Sequence, residues 1–289
     1  MRSKRGAVEL ALWLVACCVT GFAVSDAGAA DKLAGKLFVQ DGLTMPGKPV
    51  MIEARLLQDG LLRQSGIGGE VVEFFLMGKK IGTSLTGGDG RALVEQTPHM
   101  RGNHPITAHV VESKRVQAAE ATGTLFVWER RRPLLLIELA ALVEPSPGPL
   151  LPSLPSGPKV QLTPLPDAAD ELKRLTDFFF NAVYVSRTGH HGIGKQAELR
   201  EWLRAQRFPA GVVMTIDPGK AALAAMIEHM REQGWDHLKS GVGRSREFAE
   251  VLVEQRIAVV IVPEPERGEA PKKAQTAQGW KEVRKKIQG

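Results

Sequence analysis

The stretch that most constrains this chain is an unbroken apolar run, Leu134-Leu135-Leu136-Ile137. It follows Pro133, ends in the carboxylate of Glu138, and continues through Leu139-Ala140-Ala141-Leu142-Val143 to Glu144. A run this short reads as a strand buried on both faces, the condition of a central strand in a parallel sheet. Ligands of open α/β sheets collect at the carboxyl ends of the strands. Glu138 therefore stands where such a fold places its chemistry.

The chain after this run alternates as an α/β unit should. Residues 167–178 read as a helix with Asp167 as cap and Leu172 and Leu175 inward, and residues 181–186 as a buried strand. A helix over 195–206 (Leu199, Trp202 and Leu203 on one face) leads to a strand at 211–215. A helix over 220–233 carries Leu223, Met226, Ile227 and Met230. A strand at 238–242, a helix over 244–254 and a closing strand at 257–262 complete a domain spanning 132–266. Within it, residues 145–166 carry eight prolines, which exclude helix and paired strand and imply a long extended loop.

The preceding segment, 34–130, has a different rhythm. Seven short strands with turn signals between them are expected at 36–40, 49–58, 70–77, 81–85, 91–97, 106–111 and 123–128, with Asp41-Gly42 as a turn after the first. Without helical periodicity, this predicts an antiparallel β-sandwich. His104 and His109 read as strand or loop residues, because no third ligand lies near them.

The first 30 residues combine Arg2, Lys4 and Arg5, an apolar core from Ala11 to Val24, and the small residues Ala27-Gly28-Ala29. That is the pattern of a cleaved export signal. The core falls short of the ~20 residues of a spanning helix. Leu14-Val15-Ala16-Cys17 resembles a lipobox, although the apolar residues 19–24 after it argue against a polar lipoprotein tether. Export to the periplasm or beyond is the expectation, with cleavage near Ala29 or Ala30. The only cysteines, Cys17 and Cys18, lie in this segment, so nothing later offers a disulfide or thiolate metal site.

Formal net charge is +6, and nearly all of it lies at the ends. Residues 31–266 are balanced, so no folded domain has the basic face of a nucleic-acid binder. The tail, 267–289, carries seven Lys and Arg against two Glu. Trp280, Val283 and Ile287 are at helical spacing there, which predicts a terminal helix docked through its apolar stripe. Contact of this helix with anionic phospholipid is the second reading.

With these motifs in place, residues 133–263 resemble the haloacid dehalogenase-like (HAD) hydrolase superfamily, most closely its capless lipin/Nir-type phosphatidate phosphatase-like branch. The N-terminal part resembles bacterial immunoglobulin-like domains, through Gly47-Lys48-Pro49-Val50, Glu70-Val71-Val72-Glu73-Phe74 and the Gly87-Gly88-Asp89-Gly90 turn before Arg91-Ala92. The fold implied is an all-β immunoglobulin-like sandwich followed by a capless α/β Rossmann-like domain. Family members attack phosphorus with an aspartate at the first strand's tip, use a second aspartate two residues on as general acid, and hold magnesium with further aspartates.

Matched position by position, the nucleophile falls on Glu138 and the acid on Ala140. The phosphate-holding serine falls on Ser186 in Tyr184-Val185-Ser186-Arg187, and the lysine on Lys220. The late acidic positions fall on Arg244 and Phe248 in Gly241-Val242-Gly243-Arg244-Ser245-Arg246-Glu247-Phe248. Mg²⁺ demands near-octahedral oxygen ligation. Ala140 cannot donate a proton, and a nucleophile displaced by ~1 Å can cost ~10²-fold.

The expectation is a catalytically inactive pseudo-phosphatase without cofactor. In it Glu138 pairs with Arg244, or Ser186, Lys220 and Arg244 form an anion pocket. Its partner would be an unidentified protein or envelope component. A residual magnesium-dependent phosphatase and a membrane-surface or adhesion protein are the alternatives. His190-His191, between glycines, read as an exposed loop. Metal use would require ligands such as Asp217 or Asp236.

Overall fold

The computed structural model describes residues 32–60, 64–144, 162–187, 192–266 and 268–288. The proposed export signal, most of the proline-rich stretch and His190-His191 lie outside them. The described chain is rich in sheet.

Ten strands form two five-stranded sheets. They are β1 (Leu33–Val39), β2 (Gly42–Thr44), β3 (Val50–Gln58), β4 (Ser65–Gly66), β5 (Val71–Leu76), β6 (Lys79–Leu85), β7 (Arg91–Gln96), β8 (Gly102–Val110), β9 (Val116–Ala118) and β10 (Ala121–Val127). One sheet runs β4-β3-β1-β9 with β7 also paired to β3, and the other runs β2-β10-β8-β5-β6. Alternation decides the inward faces. Ile52, Ala54 and Leu56 of β3 meet Val72 and Phe74 of β5, Ile106 and Ala108 of β8, and Leu125 and Val127 of β10 in one core.

All seven expected strands are present. The expected turn at Asp41-Gly42 is not, because Gly42 opens β2, which pairs parallel with β10. β1 is likewise parallel to β9. The chain thus crosses between sheets at Gln40-Asp41, and the sandwich is not wholly antiparallel. The crossing needs Gly42, where a Cβ would lie 2.8 Å from Leu125 Cδ1.

The second part is a six-stranded sheet, every pairing in it parallel. Its strands are β11 (Leu134–Glu138), β12 (Asn181–Ser186), β13 (Gly211–Thr215), β14 (Leu238–Gly243), β15 (Ala258–Ile261) and β16 (Gln275–Thr276), in the order β13-β12-β11-β14-β15-β16. The apolar run is a central strand, buried along its whole length. Leu134 and Leu136 pack on one face with α3 (Lys220–Glu232) and α4 (Arg246–Glu254). Leu135 and Ile137 pack on the other with α1 (Ala168–Phe178), α2 (Gly192–Ala205) and α5 (Trp280–Gln288).

Three expectations need correction here. Residues 257–262 do not close the sheet, since β16 adds a strand beyond β15. Asp167 precedes α1 in a left-handed conformation but makes no side-chain cap hydrogen bond. Prolines do not exclude pairing at the edge of the loop: Pro164 forms an antiparallel bridge with Val143. The bonds there come from the Leu165 and Glu144 N–H groups to Leu142 and Thr163 carbonyls, so proline's missing donor is not needed.

The C-terminal helix docks as its stripe predicts. Trp280 and Val283 are fully buried, and the Trp280 indole donates to the Ala141 carbonyl at 3.0 Å. Buried Glu171 of α1 accepts from Arg174 at 2.9 Å and from Arg284 of α5 at 2.5 Å. Lys281 and Lys285 remain exposed.

Sandwich and parallel sheet meet in a continuous apolar seam, where Met45, Phe126 and Trp128 join Trp235 and Leu238. Each such side chain withdrawn from water contributes roughly 1.5–3 kcal/mol. Arg200 of α2 completes the seam, donating to Asp41 at 2.6 Å and to the Thr122 carbonyl at 2.5 Å.

Candidate functional site at the carboxyl edge of the parallel sheet

The order of strands reverses direction between β11 and β14: the chain builds outward through β12 and β13, then returns to β14, β15 and β16. The crevice at such a switch point is where open sheets bind ligands. Glu138 ends β11 on one side of it, and Gly243-Arg244-Ser245 leads from β14 into α4 on the other.

Glu138 is buried, with 4% exposure, and both carboxylate oxygens are engaged. Oε2 accepts the backbone N–H groups of Arg244 and Ser245, each at 2.8 Å. Oε1 accepts the Ser245 hydroxyl at 2.6 Å and an Arg187 Nη1 hydrogen at 3.2 Å. Ser245 caps α4, its oxygen accepting the Phe248 N–H at 3.2 Å and the Arg187 Nη1–H at 2.7 Å. Arg187 also pairs with Glu247 in the first turn of that helix. A helix N-terminus offers unpaired N–H groups and a positive dipole end, the ordinary seat of an anion. Here the seat holds the protein's own carboxylate.

Each site residue expected from sequence can now be placed. The Glu138–Arg244 side-chain ion pair does not form. Arg244 contributes its backbone N–H, while its guanidinium turns to the Val143 carbonyl at 2.5 Å. Burial lowers the Arg244 pKa, with Glu138 opposing the shift, yet a guanidinium stays charged throughout. The cation beside Glu138 is Arg187, which sequence reasoning quoted but gave no role. Its position directly after β12, at the carboxyl edge, was the available signal.

Ser186 is buried at the end of β12, one residue past the Val185 that pairs with Glu138. Lys220 does not converge on the crevice as an open phosphate ligand, because its Nζ pairs with Glu250 at 2.6 Å. That hydrogen bond raises the Lys220 pKa and lowers that of Glu250, which Arg246 also holds. Ala140 lies half-buried in the 3-10 turn Leu139–Ala141.

Phe248 is fully buried, and its ring fills the space left by Gly243, while Leu252 fills that left by Gly241. A Cβ on Gly243 would lie 2.3 Å from Phe248 Cδ1, and one on Gly241 would lie 2.1 Å from Leu252 Cδ2. The position that would supply a metal-binding acid in the resembled family is therefore part of the core.

The donor set does not suit magnesium. Glu138 is the one carboxylate among these positions, and its oxygens already accept four hydrogen bonds; Ala140, Arg244 and Phe248 supply no oxygen side chain. Among the described residues no group of three or more His, Cys, Asp and Glu is arranged to hold an ion. Asp236 lies at the far edge of the sheet, paired with Arg130. In the sandwich, His104 bonds to the Met100 carbonyl at 2.7 Å, and His109 meets Glu73 at 3.1 Å while stacking on Phe75.

No protein-family model matches the chain, and no curated protein matches it. Among solved structures it is similar to D,D-heptose 1,7-bisphosphate phosphatase from B. bronchiseptica, in complex with magnesium and phosphate, at 11% identity over 54% of this chain and 98% of that one, with a TM-score of 0.41. It is also similar to fibronectin(III)-like modules of CbhA from Clostridium thermocellum, at 17% identity over 32% of this chain and 94% of that one, with a TM-score of 0.23. A CARDB domain from Pyrococcus furiosus gives 19% identity over 33% and 94%, with a TM-score of 0.24.

Proposed function

We propose that this chain is an exported, non-catalytic protein of HAD-like lineage. In this reading an immunoglobulin-like module is fused to a pseudo-phosphatase domain that serves binding or assembly. The observation that carries the proposal is the state of the crevice: Glu138 accepts two backbone N–H groups, a serine hydroxyl and an arginine, the donor set a phosphoryl group would otherwise receive. A carboxylate committed to four donors is a poor nucleophile, and among the described residues at the family's general-acid position stands Ala140, which cannot protonate a leaving group. The basic, apolar and small-residue pattern of the first 30 residues supports export.

The reading is tested by titrating inorganic phosphate against wild type and Glu138→Ala. Wild type should neither bind phosphate nor release it from a panel of phosphate esters with magnesium present. The Glu138→Ala chain should bind phosphate weakly and gain thermal stability from it, because the vacated donors accept an anion. Magnesium-dependent hydrolysis by wild type, abolished in Glu138→Gln, would establish the residual phosphatase instead.

A further inference from the structure

Most strand edges in this chain are short or finished from within. β2, β4, β9 and β16 have three residues or fewer. The outer edge of β13 is met by Gln196, whose Nε2 donates to the Val213 carbonyl. The outer edge of β7 is tied at two positions. Its Leu93 N–H donates to Ser84 Oγ at 3.2 Å, and its Arg91 N–H to Asp89 Oδ1 at 3.1 Å, while the Arg91 carbonyl accepts the Gly87 N–H at 2.9 Å.

β6 is different. It runs seven residues, and among the described residues no strand pairs with its outer edge. The N–H and carbonyl of Thr86 bond inward to Glu70 and Gly69, each at 2.8 Å. Alternation therefore turns the N–H and C=O groups of Leu85 and Thr83 outward. An open edge of this kind is a template for another strand. Lysines and bulges are the usual protection, and here both sit at the hairpin end. They are Lys79, Lys80 (its Nζ held by Glu73 at 2.6 Å) and the irregularity opposite Phe74-Phe75. The stretch from Thr83 to Leu85 carries neither.

The solvent face beside this edge is apolar. Val72 is fully buried, so its neighbour Val71 faces out. Leu85 stands opposite Val71 on β6, and Val111 stands on its other side, donating its N–H to the Val71 carbonyl at 2.8 Å. Leu85, Val71 and Val111 are 62%, 38% and 37% exposed. They form one row that crosses the sheet and stops at the open edge.

We propose that β6 pairs antiparallel with β6 of a second copy of this chain, joining two sandwiches through one continuous sheet. The occupant is a second copy because the strand complements itself. In a register centred on Ser84, the outward groups of Thr83 meet those of Leu85 in the other copy, for about four ladder hydrogen bonds. The two Leu85 side chains become diagonal neighbours on one face, and the apolar row continues into its twin. The same register brings Lys79 of each copy to the level of the exposed carboxylate of Asp89 in the other. No like charges face each other.

Sedimentation equilibrium of the full chain tests this, and the contact lies far enough from the Glu138 crevice for the two readings to fail separately. A small contact of this type belongs with weak complexes, so monomer and dimer should exchange with a Kd on the order of 10 µM. Thr83→Pro removes an outward N–H and spares the ladder to β5. Leu85→Lys sets two like charges side by side. Each should weaken association about tenfold or more, with the urea unfolding of the monomer unchanged. Leu85→Lys, at an exposed side chain, decides the case if the proline variant unfolds. Lys79→Glu, set against Asp89, should weaken association about threefold. A chain that stays monomeric, whether or not extended peptides from a displayed random library pair with this edge, would overturn the proposal. So would a dimer that tolerates Leu85→Lys, and association unaffected by Lys79→Glu would overturn the register.

Discussion

The two edges of the parallel sheet are finished in opposite ways. At the carboxyl edge an anion seat is filled from within: two backbone N–H groups, the Ser245 hydroxyl and an Arg187 Nη1 hydrogen all end on Glu138, although Arg187 Nε and Arg244 Nε stay buried without a partner. At the amino edge, Arg132 bonds the Thr176 carbonyl with its Nε left without a partner, and Phe178 and Phe179 remain in water. Where a fold of this order ordinarily works, this chain has invested in cohesion. At the other edge it leaves apolar surface in water. Saturated polar networks hold a structure together, whereas unsatisfied groups at a surface cost stability and persist where a partner completes them.

The contrast is broken most directly at Glu138. Glu138→Ala leaves two buried backbone N–H groups and the Ser245 hydroxyl without their acceptor, while Arg187 keeps Ser245 and Glu247, and should cost about 3–5 kcal/mol in urea unfolding. Glu138→Gln should cost less, keeping one acceptor oxygen. A loss under ~1 kcal/mol for the alanine variant would make the network incidental and erase the difference between the edges.

Next in size is the packing beneath the same edge. Gly243→Ala forces a methyl to within 2.3 Å of the Phe248 ring. Overpacking of that kind should cost about 1–3 kcal/mol. Phe248→Leu in the same chain should recover part of the loss, so a double-mutant cycle should show coupling of ~0.5 kcal/mol or more. Strict additivity would mean that Phe248 is not what the glycines accommodate.

Much of this architecture is legible in the residues. The run at 134–137 announces a central strand because no polar side chain interrupts it, and the alternation of Ile52, Ala54 and Leu56 announces a sandwich face. The strands that escape, β2, β4 and β9, have three residues or fewer, too short for a period to register. β16 escapes for the same reason.

The site was legible in location but not in wiring. Glu138 could be placed at a strand tip from pattern alone. That Arg187 rather than Arg244 would be its cation was signalled only by Arg187's place directly after β12, because a residue at a strand-to-helix turn can offer either its N–H or its side chain. At Arg244 the N–H points into the crevice and the side chain leaves for Val143. Ser245, a favoured helix cap two residues before Glu247, was the local sign that α4 begins there.

At the amino edge the expected effects on folding are smaller. Arg132→Ala removes one bond to the Thr176 carbonyl and a guanidinium whose Nε has no partner. The cost should stay near or below ~1 kcal/mol by urea unfolding. A loss above ~2 kcal/mol would make Arg132 a structural strut, and the two edges would no longer differ in kind.

The smallest effect is expected at the seam between the sheet systems, where Asp41 repeats the Glu138 motif incompletely. Its Oδ1 accepts from Arg200 at 2.6 Å and from the Thr124 N–H at 2.9 Å, but its buried Oδ2 has no partner. Burial raises its pKa above the ordinary 3.8, and Arg200 and the Thr124 N–H only partly offset the shift. The folded chain therefore holds this proton more tightly than the unfolded chain. The seam should gain stability as pH falls through the folded-state value towards 3.8, and lose it as pH rises back through that window. Asp41→Asn should flatten that slope above 3.8 while most of the seam's apolar contacts persist. An unchanged slope would place the pH response elsewhere. A steeper one would mean that Arg200, left beside an amide, depends on the Asp41 charge more than burial opposes it.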